Sequence, residues 1–480
     1  GCFCKDCRSS NEITKMIDLN KYSNVYLLGI AGIGMSALAR YFNFKNKLVF
    51  GYDKKKSDLS IELESQGISI HYNDNVAKIP AKILNSKKED TLIIYTPAIN
   101  KSNKEYIYFK KEGFQLYKRA QVLAKISEDF YTIAIAGTHG KTTTSTILTH
   151  LLKSSGVDLT SFVGGVSNNY NSNLIYSESA NILVVEADEY DHSFLNFSPD
   201  IAVITSLDSD HLDIYETEEK LKESFIEFSN KIKSGGYLIV EDSIKNYFSV
   251  PNDGYKYTYS AYKKADFHAM NIEIINGRTF FDLFSYKKEN NEKITKQSYN
   301  LMLPGKHNVS NSISAIVVCE ILGLNEINIL KGIQSFAGVK RRYDIQINNG
   351  NVSYIDDYAH HPNEIYSTIY ATRDLFPNRN LTVVFQPHLY SRTKFFINEF
   401  AESLSLADHL ILLDIYAARE KPIKNFNSTV LLDLCTNNFK KVCKKSELID
   451  LLSTKDIDVL LTLGAGDISD LVKPIKYMLN

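Results

Sequence analysis

No apolar run in the sequence approaches the roughly eighteen residues that a membrane-spanning helix needs, so a helical span is excluded. Net charge is almost absent, −1 from 55 basic and 56 acidic residues. That balance leaves no electrostatic case for nucleic acid or an anionic membrane as a partner. No signal-peptide pattern opens the chain, and the expected location is cytoplasmic. Cysteine is scarce, with Cys2, Cys4 and Cys7 near the start and Cys319, Cys435 and Cys443 scattered later. A zinc site needs a fourth ligand that the CFCKDC stretch lacks nearby, so no metal role is expected there. Residues 1–20 are expected to form a disordered extension, with Met16 a candidate natural start, and are set aside from the fold. Internal repeats and extended low-complexity segments are also missing.

What is present is a soluble, globular composition, 44% hydrophobic and 23% charged over 480 residues, long enough for about three domains. The most informative stretch is YTIAIAGTHGKTTT, residues 131–144. Its apolar, β-branched opening has the length of a buried strand, and it feeds a glycine-bounded turn and a Thr-rich helix start. Such a turn cradles phosphate. Gly137 and Gly140 let backbone N–H groups approach an anion, the helix directs its positive end at it, and Lys141 adds a full charge. Thr138, His139 and Thr143 complete the loop, and Thr142 would place its hydroxyl on magnesium. The strict phosphate-loop pattern wants a further glycine where Ile135 stands, so this is a compressed GxxGKT variant.

Upstream, a strand over 24–28 runs into GIAGIGM, residues 29–35, and a helix. Gly29, Gly32 and Gly34, with Met35, suit a Rossmann-like turn that holds a diphosphate on a helix N-terminus. A second strand ends at Asp53, where such folds place a group that touches the nucleotide's sugar or base. Downstream, apolar strands end at Glu186 and shortly before His211. In a parallel sheet their carboxyl ends share an edge, so both can converge on the ion at Thr142, with a structural hydrogen bond as the alternative for the histidine. Residues 250–300 alternate polar and apolar, as in antiparallel hairpins. Asn308 and Asn311 are three apart on one helical face, suited to a base or ribose, or to capping. Arg341 and Arg342 open a third α/β segment and could clamp phosphate or form a solvated charge pair. Its strand ends carry Asp356 to Pro362, Gln386 to Arg392, Asp414 and Gly464 to Asp467, and these clusters at one sheet edge make a site.

Together the motifs GIAGIGMSALAR, GTHGKTTT, EADEYDHSFL, SDHLDIY, LPGKHNVSN, GVKRRYD, DDYAHHPNE, FQPHLYSRT and LTLGAGDI closely resemble those of the Mur ligases. Within that family they are most similar to the branch that adds the first amino acid of the peptidoglycan stem peptide. The resemblance implies an α/β, three-domain architecture: an N-terminal Rossmann-like domain (21–118), a central P-loop ATPase domain (119–336) and a C-terminal Rossmann-like domain (337–480). It implies ATP and Mg2+ as cofactors and UDP-N-acetylmuramate and L-alanine as the other substrates, joined through an acyl phosphate. By the same resemblance Thr142, Glu186 and His211 hold the metal. Asn308, Asn311 and Arg342 serve the nucleotide. Asp357, Tyr358 and His360 line the amino-acid pocket, and His388 and Arg392 face the reacting carboxylate. The Gly29–Met35 turn, Asp53 and Arg119 take the UDP-sugar. The general base for the amine stays open among His360, His361 and His388. The chain departs from the family at Ala31, where glycine is usual, and at Leu389, where many members carry arginine. Rival readings are a ligase that joins a tripeptide to the same UDP-sugar, and a nucleotide switch that makes no bond. As to assembly, a monomer or homodimer is expected.

Overall fold

The computed structural model describes residues 17–480 except 209–214, 216, 252, 276, 287–294 and 419. The expected N-terminal extension and His211 therefore lie largely or wholly outside the described residues. The described chain forms two compact units. One takes the chain up to residue 268 with Tyr286 and residues 311–332, and the other takes residues 269–285, 295–310 and 333–480.

The first unit contains two sheets. Strands β1 (Asn24–Leu28), β2 (Leu48–Tyr52), β3 (Ser69–His71), β4 (Thr91–Tyr95) and β5 (Leu116–Lys118) form a parallel sheet in the order β3-β2-β1-β4-β5. All five residues of β1 are buried, as the apolar run requires of a central strand covered on both faces. The second sheet is built on β6 (Tyr131–Ala136), flanked by β7 (Leu159–Ser167), β8 (Ser172–Ile175), β9 (Ile182–Glu186), β10 (Ile201–Ile204), β11 (Tyr237–Glu241) and β12 (Tyr255–Ser260). Within this unit its order is β12-β11-β10-β6-β9-β7-β8, so β6 sits between β10 and β9, parallel to both. The phosphate-loop turn thus leaves the sheet flanked by the carboxyl ends of its two neighbours.

Strand β5 ends at Lys118 and β6 begins at Tyr131, yet the two sheets share one hydrophobic cluster. Met35, Leu38, Tyr41 and Phe42 of the helix Ile33–Phe44 belong to the same buried group as Phe162 of β7 and Leu174 of β8. The Tyr41 and Phe162 rings lie 5.5 Å apart, and Phe44 stacks on Tyr176 at 5.0 Å. The helix that follows the glycine turn therefore packs on its own sheet with one side and on the hairpin β7–β8 with another.

Strand β13 (Phe267–Ile275) leaves the first unit after His268, and β14 (Arg278–Ser285) pairs antiparallel with β15 (Thr295–Leu301), the hairpin expected from alternating residues. The second unit's main sheet combines β16 (Asp344–Asn348), β17 (Ser353–Asp357), β18 (Leu381–Phe385), β19 (His409–Leu413), β20 (Phe439–Cys443) and β21 (Val459–Leu463), in the order β16-β17-β21-β18-β19-β20. Only β16 is antiparallel. Separate apolar clusters cover its two faces, one around Phe385 and Phe400 and the other around Tyr354 and Ile475.

Beneath the helix Lys104–Lys111 a carboxyl group is sunk in the first sheet's core. Glu105 is 0% exposed, accepts a 2.7 Å hydrogen bond from the Tyr26 hydroxyl and lies 3.4 Å from His71 Nε2. Burial is the main cause that lifts its pKa to about 7. Because the folded value exceeds the unfolded one, this group's stabilisation is complete below the unfolded value and is lost as pH rises through about 7. Replacing Glu105 by Gln is expected to flatten the decline in stability between pH 5 and pH 8, measured by urea unfolding. An unchanged pH profile would refute the assignment.

Candidate functional site

The turn between β6 and the helix Lys141–Ser154 requires its glycines. Gly137 and Gly140 have φ of +133° and +83°, in the region that side chains disfavour. At Gly137 a Cβ would lie 2.1 Å from Thr205 Oγ1, and at Gly140 one would lie 2.5 Å from Asn311 Oδ1. Neighbouring polar groups occupy the space that the missing side chains leave. The end of β10 buttresses the loop from one side: Thr138 N donates to Ser206 O (3.2 Å), His139 N to Ser206 Oγ (2.8 Å), and Asp208 N to Thr138 Oγ1 (2.9 Å). His139 Nε2 lies 3.3 Å from Asp208 Oδ2.

Lys141 opens the helix, with Thr142 and Thr143 buried in its first turn. Its side chain is only 11% exposed, and Nζ donates to Gly137 O (2.6 Å) and to Glu189 Oε1 and Oε2 (2.9 and 2.7 Å). Burial opposes the charged form, but the carboxylates of Glu189, Asp188 and Glu186 outweigh it and raise the ammonium above its ordinary range. Lys141 therefore stays protonated across the physiological range. Fully buried Glu189 is the partner that the sequence reading missed. Its signal was present in EADEYD, where it lies three residues beyond Glu186 in the turn after β9. That turn kinks through Asp191 and His192, both left-handed (φ +55° and +54°), and Lys118 holds Asp191 at 2.6 Å.

The expected metal ligands Thr142 and Glu186 meet: Thr142 Oγ1 donates to Glu186 Oε2 at 2.9 Å. Gly164 of β7 makes room for this carboxylate, since a Cβ there would lie 2.1 Å from Oε2. A hydroxyl and a carboxylate beside a phosphate cradle form an oxygen donor set that suits Mg2+, which takes few protein ligands and completes its shell with phosphate and water. Among the described residues, no group of three or more His, Cys, Asp or Glu side chains is placed to hold an ion. Whether His211 joins them lies outside the described residues.

In the N-terminal sheet, Gly29 (φ +84°) turns the chain, and a Cβ on it would lie 2.6 Å from Thr96 Cγ2. Gly32 has ordinary φ and no crowding, so its conformation alone does not demand glycine. Gly34 is crowded by Arg119, whose Nη1 would be 2.5 Å from an added Cβ. Met35 is buried in the helix behind the turn. Asp53 Oδ2 accepts from Ala31 N at 2.8 Å, which ties the end of β2 to this turn. The structure thus brings Arg119 and Asp53 to the glycine turn.

In the second unit β17, β21, β18 and β19 are parallel neighbours, so the polar clusters at their ends adjoin. The His360 and His388 rings are 5.9 Å apart, and His388 stacks on Tyr416 at 5.6 Å, an aromatic that the sequence reading did not select. The Arg342 guanidinium lies 4.9 Å from the centre of the Tyr358 ring and 3.9 Å from Glu364 Oε1. Glu364 also lies 3.4 Å from His360 Nδ1. Arg341 has a different role from its neighbour: it donates to buried Asp356 (3.1 Å) and to Gly464 O (2.6 Å), which locks the segment onto the sheet. Asp357 is spoken for by backbone, accepting from Tyr343 N and Ala359 N at 2.6 Å each, and burial is the main cause that raises it to about 6. That geometry makes it an organiser of the loop that carries Tyr358 and His360. His361 is buried with its ring against Phe396 at 4.7 Å, which suits packing. Leu389 adopts φ +70° at the turn that aims His388, and Arg392 is half-buried in the short helix Tyr390–Phe395. Asn308 and Asn311 share the helix Lys306–Ile321, but Asn308 Nδ2 donates to Pro304 O at 2.7 Å and so anchors the turn before it.

Three family models match successive segments of the chain: the catalytic domain of the Mur ligase family over residues 24–131, the Mur ligase middle domain over 135–319, and the glutamate ligase domain of Mur ligases over 341–466. The chain is 45% identical over 463 residues to the UDP-N-acetylmuramate–L-alanine ligase of Parabacteroides distasonis, covering 96% of this chain and 98% of that protein. It is 48% identical over 464 residues to the enzyme of the same name from Flavobacterium psychrophilum, covering 97% and 100%. Among solved structures, the UDP-N-acetylmuramate-alanine ligase of Thermotoga maritima superposes with a TM-score of 0.79 at 26% identity, over 95% of this chain and 99% of that one.

Gly164→Ala leaves backbone conformation unstrained but pushes Glu186 away from Thr142. Mg2+-dependent binding of ADP, measured by calorimetry, is expected to weaken about 10- to 100-fold while the melting temperature holds nearly constant. Unchanged affinity would remove Glu186 from the metal site.

Proposed function

Because the chain belongs to the Mur ligase family, we propose that it joins L-alanine to UDP-N-acetylmuramate with hydrolysis of ATP to ADP and phosphate, a cytoplasmic step in peptidoglycan synthesis. The observation that carries this reading is one compact unit in which the Lys141 cradle, the Thr142–Glu186 pair and the glycine turn with Asp53 and Arg119 occur together. Whole-length similarity to ligases of that name supports it.

A carboxylate is a poor electrophile at neutral pH, so the sugar's lactyl carboxylate first attacks the γ-phosphorus of ATP. The β–γ bridge bond breaks, ADP leaves, and an acyl phosphate remains. The amine of L-alanine then attacks the acyl carbon through a tetrahedral intermediate, inorganic phosphate departs, and the nitrogen loses a proton to a base. The protein mainly neutralises charge on the phosphoryl group and keeps water out. Lys141 supplies a fixed positive charge, preorganised by Glu189 and Gly137 O. Mg2+, held by Thr142 and Glu186 with His211, would draw charge from the phosphate oxygens. Backbone N–H groups of residues 137–143 bind phosphate, with Asn308, Asn311 and Arg342 serving the nucleotide. By motif position Tyr358 and His360 shape the amine pocket, on the loop that Asp357 organises through its backbone bonds, while His388 and Arg392 meet the reacting carboxylate.

Turnover should require UDP-N-acetylmuramate and L-alanine together. Phosphate release with glycine, L-serine and a tripeptide as alternative amines separates the rivals: tripeptide-only turnover would establish the recycling activity, and release without an amine would favour a switch. Lys141→Ala is expected to lower kcat by about 10²-fold or more and to leave UDP-sugar affinity within about twofold. Since that variant strands buried Glu189, Lys141→Ala with Glu189→Gln should recover stability but not turnover. Near-normal turnover in either would refute the role given to Lys141.

A further inference from the structure

Asn173 stands on β8, in the sheet of the phosphate cradle, yet its side chain is spent on the other sheet's helix. It is 0% exposed. Its Nδ2 donates to Ile33 O (2.5 Å) and Ser36 Oγ (2.9 Å), in the first turn of the helix that follows Gly29–Gly34. Its Oδ1 accepts from Arg40 Nη1, and Arg40, itself 2% exposed, also donates to Glu62 (2.6 Å) and Gln66 (3.3 Å). Both amide hydrogens and the oxygen of one buried side chain are thereby engaged in fixing the orientation of the helix that backs the diphosphate turn.

The other side of the same hairpin reaches the metal pair. β8 pairs antiparallel with β7, β7 carries Gly164 against Glu186, and β7 pairs parallel with β9, which ends at Glu186. The hairpin, whose register shifts between Phe162 and Ser167, therefore links the first turn of the diphosphate helix to the carboxylate bonded to Thr142. Non-polar packing of Tyr41 on Phe162 would hold helix and hairpin together, but it allows sliding. A directional amide clamp does not.

We propose that Asn173 is a positioning residue that couples the UDP-sugar site to the nucleotide–metal site by holding the diphosphate-binding helix in register with the β7–β8 hairpin. This rests on the proposed function, and deepens it: the clamp sets where the sugar's carboxylate stands relative to the γ-phosphate without touching either substrate. In consequence each ligand should bind better when the other is present, by the same factor in both directions.

The test uses the full-length protein, with UDP-N-acetylmuramate and a non-hydrolysable ATP analogue plus Mg2+ titrated singly and together by calorimetry. In the parent, one ligand is expected to improve affinity for the other by about 5- to 150-fold. In Asn173→Ala each binary affinity should stay within about threefold while the mutual gain falls below about twofold. Meanwhile kcat should drop by roughly tenfold or more, in line with the steep dependence of transfer on alignment. Ser36→Ala, which removes one of the clamp's bonds and little volume, should give an intermediate loss, and it carries the test if Asn173→Ala fails to fold. A parent that turns over but shows no mutual gain would overturn the inference, as would variants that retain the gain or lose both binary affinities outright. A parent that does not turn over with these substrates would instead overturn the proposed function.

Discussion

A lysine ammonium sunk among carboxylates is the constraint on which the nucleotide-handling part of the molecule depends. Burying a lone charge costs several kcal/mol, so Lys141 can sit at the floor of the loop only because Glu189 meets it there with both oxygens. This requirement explains the crowded turn after β9. Glu189 must reach Lys141 from behind, while Glu186, on the strand itself, faces Thr142. Tyr215 adds a bond to Glu189 O (2.5 Å), and Lys118 braces the left-handed Asp191. Strain in the turn is tolerated because the charges over-determine its path.

The same logic of buried polar groups joins the two sheets of the first unit. Their shared apolar cluster supplies contact area, whereas Arg40 and Asn173 supply direction. The glycine turn and the phosphate loop come from different βα units, and the helix behind the one is bonded to a hairpin that abuts the other. Arg119 contributes at the same place by lying over Gly34, where any side chain would displace it.

In the second unit, charge again does structural work before chemical work. Arg341 and Asp356 bind the entering segment to the sheet, and Asp357 uses its oxygens on backbone amides to shape the next turn. Those bonds leave Arg342, Tyr358, His360 and His388 as the groups gathered at the carboxyl edge. Two adjacent arginines thus divide into an anchor and a candidate ligand, according to which one finds a buried carboxylate.

Much of this was legible in the linear chain. The strands Asn24–Leu28, Leu48–Tyr52, Thr91–Tyr95 and Tyr131–Ala136 announced themselves as short apolar runs ended by Gly, Asp or Pro signals, because buried parallel strands need continuous apolar residues. GTHGKTTT determined its own turn and helix start, since local backbone geometry and a helix N-terminus are short-range properties. Glu186 could be placed opposite Thr142 for a similar reason: parallel strands end on one edge. Long-range contacts were beyond that reach. That Glu189 would neutralise Lys141, that Gly164 would yield space to Glu186, that Asp357 would be consumed by backbone, and that Asn173 would clamp a helix 137 to 140 residues away were decided only when the sheets packed. Desolvation makes a buried donor or charge take whichever partner the tertiary arrangement brings within reach, and no periodicity in the sequence encodes that choice.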